Sequence, residues 1–182
     1  MASILNVDKI RATGSTTDGL TVDSGGRVDM PNTVMYDTYR LTADHSTIAV
    51  ITAWEKPDNS LSVTVGDSMS VSSGIFTFPR TGVYRVAFFA GIDTAAADSL
   101  GSVELRGTTD NSNYELLTYV REGGSSDVDY GNVYGEAIVN ISDTANRKVK
   151  LDAGSLSSGS VIMGHSDRNE TYICFQYLAP AQ

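Results

Sequence analysis

The stretch FTFPRTGVYRVAFFAGI, Phe76 to Ile92, decides the fold. A strand with one wet face alternates apolar and polar residues, and this run barely does so after its Pro-x-x-Gly turn. Tyr84, Val86, Phe88, Ala90 and Ile92 point to one side of an extended chain, and Val83, Ala87, Phe89 and Gly91 to the other. Arg85 is the only charge from Val83 to Ile92. Both faces of this strand require cover.

Outward from that strand, almost nothing has helical spacing. Gly, Ser, Asn, Asp and Thr recur at short intervals, and between them lie runs rich in Val, Ile, Tyr, Phe and Thr. The expected strands are Thr33–Leu41, Ala49–Glu55, Ser60–Val65, Gly74–Pro79, Gly82–Ile92, Ser102–Thr108, Tyr114–Glu122, Val133–Ser142, Arg147–Gly154 and Thr171–Ala179. The alanine-rich piece Asp93–Gly101 is too short for a stable isolated helix and is expected to be a loop. An all-β, two-sheet sandwich is the natural packing.

Residues 1–32 differ from the head at 33–182. They carry two small apolar clusters, Ile4, Leu5, Val7 and Ile10, then Leu20, Val22, Val28 and Met30, separated by Gly, Ser and Thr. The second cluster flanks the turn DSGG and predicts a hairpin. A lone hairpin is marginal in water, so this arm is expected to be ordered by neighbouring copies or by a larger particle.

Composition excludes several functions. A chain of 182 residues buries a core without disulfides, and the single Cys174, in an apolar run, reads as a buried inert thiol. A net charge of -9 argues against a nucleic-acid partner, which needs a clustered Lys/Arg footprint. No apolar run approaches the roughly 18–20 residues of a membrane helix, so no membrane insertion is expected. The opening residues lack the pattern of a secretion signal, which predicts a chain that starts in a cytosol.

Chemistry is sparse. His45 and His165 are the only histidines, and the run GHSDRNE sets His165 beside Ser166 and Asp167 without building a triad. Asp23, and Asp127 with Asp129, offer oxygens to calcium, but Asp in turns more often serves backbone geometry. No zinc spacing, phosphate loop or dinucleotide fingerprint occurs, so neither a cofactor nor catalysis is expected. What remains are Ser/Asn/Asp/Gly-rich loops, with Asn111, Asn113, Tyr114, Asp127, Asp129 and Tyr130 as candidate recognition residues.

From Val34 to Pro180 the sequence resembles the jelly roll of tumour necrosis factor ligands and of the complement head. Three places carry the likeness: Phe76, Thr77, Pro79, Gly82, Tyr84 and Phe88 of the opening stretch; the strand pair YGEAIVNISDTANRKVKLDAG; and the closing TYICFQYLAP. The arm, with SILNVDKI followed by LTVDSGGRVDMP, resembles the attachment ends of tail-fibre proteins of tailed bacteriophages. The first resemblance implies a homotrimer in which one sheet of each subunit meets its neighbours. One face of Gly82–Ile92 would then fill the sandwich while Val83, Ala87 and Phe89 meet another subunit. Together the two resemblances imply a phage structural protein on the virion surface, a trimeric fibre or knob. Its arm would join other virion proteins, and its head would bind a bacterial surface glycan or protein. The alternatives are a capsid decoration protein without a receptor role and a secreted complement-head-like lectin or ligand.

Overall fold

Two antiparallel sheets stack with their apolar faces inward in the computed structural model, which describes residues 9–10, 20–22, 28–29, 34–96, 99–124 and 129–182. Among these there is no helix. The strands are β1 (Lys9–Ile10), β2 (Leu20–Val22), β3 (Val28–Asp29), β4 (Tyr36–Leu41), β5 (Trp54–Glu55), β6 (Ser70–Ser72) and β7 (Ile75–Thr77). They continue with β8 (Gly82–Thr94), β9 (Leu100–Thr108), β10 (Tyr114–Gly123), β11 (Asp129–Ile141), β12 (Lys148–Leu156), β13 (Val161–Ile162) and β14 (Tyr172–Ala179). One sheet has the order β11-β8-β14-β4-β5 with β13 also on β8, and the other has the order β10-β9-β12-β7-β6.

The core forms where the two inner faces meet. Tyr84, Val86, Phe88, Ala90 and Ile92 of β8 are completely buried there, each large side chain contributing about 1.5–3 kcal/mol. Phe76 sits at the centre, its ring 5.0 Å from Phe175, 5.3 Å from Tyr39 and 5.7 Å from Trp54. Ser73 and Gly74, with φ of 50° and 79°, link β6 to β7, whose ends pair Ser72 with Ile75. A two-residue turn with both central residues left-handed matches the twist of the flanking strands.

Two expected strands are reorganised. Within Ala49–Glu55, Val50 bridges to Asp152 of the five-stranded sheet while Trp54 and Glu55 pair with Leu41 and Arg40 of the other, so this segment crosses between layers. Ser60–Val65 keeps only the bridge between Val65 and Tyr36. Its backbone has local partners instead, because the Asn59 side chain accepts the amides of Leu61 and Ser62. Gly66 then turns the chain at φ +70°, so close to β4 that a Cβ there would lie 2.3 Å from the Val34 carbonyl oxygen.

In the arm, Val22 pairs with Val28 and Thr21 with Asp29, giving the expected hairpin, and β1 adds a third strand through Lys9–Thr21 and Ile10–Leu20 pairs. Ile4, Leu5, Val7 and Met30 lie outside the described residues, as does Asp127.

Candidate interaction surface

The outward face of the six-stranded sheet is built row by row from strand register. One row runs Tyr36, Gln176, Arg85, Ile138; the next runs Thr38, Cys174, Ala87, Glu136; the third runs Arg40, Tyr172, Phe89, Tyr134. Because side chains alternate along each strand, all twelve share one side.

Half of these residues are aromatic or aliphatic. Phe89 stacks on Tyr172 with ring centroids 5.6 Å apart and planes 17° off parallel. Cys174 lies beneath, and its thiol points at the Ala87 carbonyl oxygen at 3.5 Å. Burial pushes the Cys174 thiol up, against a smaller opposing contribution from Tyr36. The Tyr36 hydroxyl is raised in turn, first by its hydrogen bond with Cys174 and then by burial.

Charge on this face is paired off. Arg85 donates through Nε and Nη2 to Glu136 Oε2 at 2.8 and 2.6 Å, and through Nη2 to the Tyr134 hydroxyl at 2.6 Å. The Tyr134 hydroxyl also bonds Glu136, and these two partners hold the Glu136 carboxyl below its ordinary range. Arg40 is fully covered, donating from Nε and Nη2 to Glu55 at 2.9 and 2.7 Å and from Nη2 to Asp58 at 2.6 Å.

Of the three residues expected to meet another subunit, Ala87 is already buried within one chain, and Val83 and Phe89 are half-buried. The exposed apolar surface lies to either side of them. On β11 it is Tyr134 and Ile138, 52% and 61% exposed; at the β4 side it is Tyr36, Val65, Val63 and Leu61, the last 91% exposed. They fall within expected strands, but strand alternation alone does not tell which apolar residues stay exposed.

Beside β4, the segment carrying Leu61 and Val63 is fixed by a buried carboxylate. Asp37, on the inner side of β4, accepts from Thr64 Oγ1 at 3.0 Å, Ser68 Oγ at 3.2 Å and the Met69 amide at 2.8 Å, and pairs with Lys56 Nζ at 3.1 Å. Nothing in the sequence singled Asp37 out, since an Asp within a strand pattern looks like a wet-face residue. At the opposite edge, β10 and β11 diverge from a Thr118 hydroxyl bond to the Glu136 carbonyl at 2.8 Å. A cleft of about 460 Å³ opens between them, lined by Leu117, Ile138, Val139 and Val149 together with Asp110, Glu115, Arg147 and Lys148.

The recognition candidates fall at two ends of the sandwich. Asn111, at φ 57°, donates its amide to the Asn146 carbonyl at 3.0 Å, and Asn113 donates to Asp110 from both its amide and its Nδ2. Those bonds, with others from Ser112 and Thr108, hold the Asp110 carboxyl far below its usual range. The Tyr114 ring lies under Lys150 Nζ, 4.7 Å from its centroid. Asp129 and Tyr130 lie at the far end, where Tyr130 is 68% exposed opposite Asp93 and the Asp129 carbonyl accepts the Thr94 hydroxyl at 3.1 Å. Most of the 13-residue β11, about 40 Å of extended chain, separates the two groups.

His45 exchanges backbone bonds with Ile162, while His165 Nδ1 accepts the Asp167 amide at 3.0 Å. Among the described residues, no three His, Cys, Asp or Glu side chains are grouped to hold a metal ion.

No protein-family model matches the chain, and no curated protein matches its sequence. Among solved structures, Eiger TNF from S. frugiperda aligns with a TM-score of 0.62 at 15% identity, over 83% of this chain and 96% of that one. Murine APRIL at pH 5.0 aligns with a TM-score of 0.58 at 12% identity, over 80% of this chain and 99% of that one. The strand order and these likenesses give the head the fold of a tumour-necrosis-factor-type jelly roll.

Proposed function

We propose that this chain is a non-catalytic, self-associating head, a homotrimer that presents its loop ends to a partner surface. One observation carries this reading: a sheet face half made of aromatic and aliphatic side chains, with its charges paired off, on a chain of net charge -9. Copies of an acidic chain repel one another, and a neutralised apolar stripe is where that repulsion is least and apolar burial greatest. The jelly-roll resemblance implies three copies around one axis.

The finer part of the proposal is a place on a phage particle, with the arm as anchor and the head as a compact knob that meets a bacterial glycan or protein. The resemblance of residues 1–32 to tail-fibre attachment ends supports it. A ligand-like or lectin-like trimer without a virion is the second reading, and the likeness in fold to Eiger TNF and APRIL favours it.

Mass determination at micromolar concentration tests the assembly. Three chains are expected for the native sequence and one for Phe89→Glu, and a stable native monomer overturns the proposal. Removing residues 1–32 should leave a trimeric head that no longer joins particles; retention on particles overturns the anchor.

A further inference from the structure

Leu61, Val63 and Val65 line a pocket of about 440 Å³ at the end of β4 where β5 has run out and Val65 takes its place as the partner of Tyr36. Tyr36 and Pro57 complete the apolar lining, and Ser62, Lys56 and Asn169 bring polar groups to it. Its volume falls in the range of small-molecule sites, about 300–1,000 Å³. The walls are fixed from within the chain. Tyr36 and Val65 exchange backbone bonds at 3.0 and 2.9 Å, Asn59 holds the amides of Leu61 and Ser62, and Asp37 holds the Thr64 hydroxyl. A pocket built this way spares its ligand the cost of ordering a loop.

The lining narrows what fits. Lys56 is the only charged residue among the described ones that line the pocket, and its ammonium has three donors. Those donors go to Asp37, Thr64 and Ser68, so the charge is matched by a buried carboxylate of the same chain. An anion would find neither a free donor nor net positive charge there, on a protein of net charge -9. A wholly aliphatic ligand fits no better. The Asn169 carboxamide and the Ser62 hydroxyl have no partner among the described residues, and such a ligand would shut them from water without supplying one. A neutral molecule with an apolar face and a hydrogen-bonding rim remains, and a pyranose ring is divided in that way. Its C–H face packs on an aromatic ring and aliphatic side chains, while its hydroxyls bond an amide. We infer that this pocket binds one neutral sugar unit, a hexose or N-acetylhexosamine, with its ring against Tyr36 and its hydroxyls on Asn169 and Ser62. The site rests on the reading of the head as a module that meets a surface glycan, and it is lined by none of the loop candidates at the two ends of the sandwich.

The test is saturation-transfer NMR on the full-length protein, with glucose, galactose and N-acetylglucosamine as probes and glucuronate as their charged counterpart, repeated on Tyr36→Ala and Asn169→Ala. Transfer to the ring protons of at least one neutral sugar is expected. Titration should show its affinity lowered at least about tenfold in each variant, and glucuronate should bind more weakly than glucose. Asn169 is exposed, so its variant should melt like the native chain. Sugars that bind both variants as well as the native protein overturn the pocket, as does the absence of any binding. Tighter binding of glucuronate than of glucose overturns the neutral class. Mass measured on the same samples separates this from the assembly. A trimer that binds no sugar overturns the pocket alone, and a monomer that binds through Tyr36 and Asn169 overturns the trimer alone.

Discussion

The Asp37 carboxylate accepts the Met69 amide proton at 2.8 Å across 32 residues of chain, and neither group is reached by solvent. With Thr64, Ser68 and Lys56 on the same carboxylate, this side chain is the common anchor of the segment between β5 and β6. Asp37→Ala would leave the buried Met69 amide and the Thr64 hydroxyl without their acceptor, and Lys56 without its partner. A loss of about 3 kcal/mol in urea unfolding is expected. Asp37→Asn should lose less, because its carboxamide oxygen still accepts. Equal stability of all three proteins would show that the segment is held by other contacts.

Asp110 gives the fold a pH dependence whose sign is fixed by its hydrogen bonds. Its carboxyl is held far below the ordinary carboxylate range by amides and side chains that bond the charged form. A carboxyl depressed in the folded state contributes fully at pH above its unfolded value and loses that contribution as pH falls toward the folded one. Asp110→Asn is therefore expected to melt below the native protein at pH 7, with the gap narrowing below about pH 4. A gap that stays constant down to pH 2 would refute this assignment.

Cys174 should be slow to modify. Its thiol is buried, points at the Ala87 carbonyl and is raised by that burial, so little thiolate forms at pH 8. Reaction with an aromatic disulfide reagent in the native state is expected to be at least about tenfold slower than in urea. Equal rates in both states would mean that this part of the face opens freely.

Much of the fold was legible because strand alternation is a local signal. Tyr84, Val86 and Phe88 against Val83, Ala87 and Phe89 divide β8 into the two faces that the structure shows, although the sequence could not say which was inward. The arm hairpin was legible from DSGG between paired valines. The segment Ser60–Val65 was not, since its alternation is that of a strand while Asn59 and Asp37 tie it down through side chains. Such distant capture leaves no periodic mark. Nor does composition tell that Asn113 and Tyr130, in similar polar loops, lie at opposite ends of the sandwich. That separation follows from which strands pair, a long-range choice.

The placement of β8 between β11 and β14 governs when this protein becomes itself during synthesis. Residues 82–94 acquire one neighbour from 129–141 and the others only from 161–162 and 172–179, so the central strand stays half-flanked until nearly the whole head has left the ribosome. Loops of that span close slowly. Through that interval the nascent strand offers bare backbone and aromatic rings to whatever is nearby, and a chaperone, or a sibling chain on the same messenger, is the natural first companion of Phe88 and Phe89.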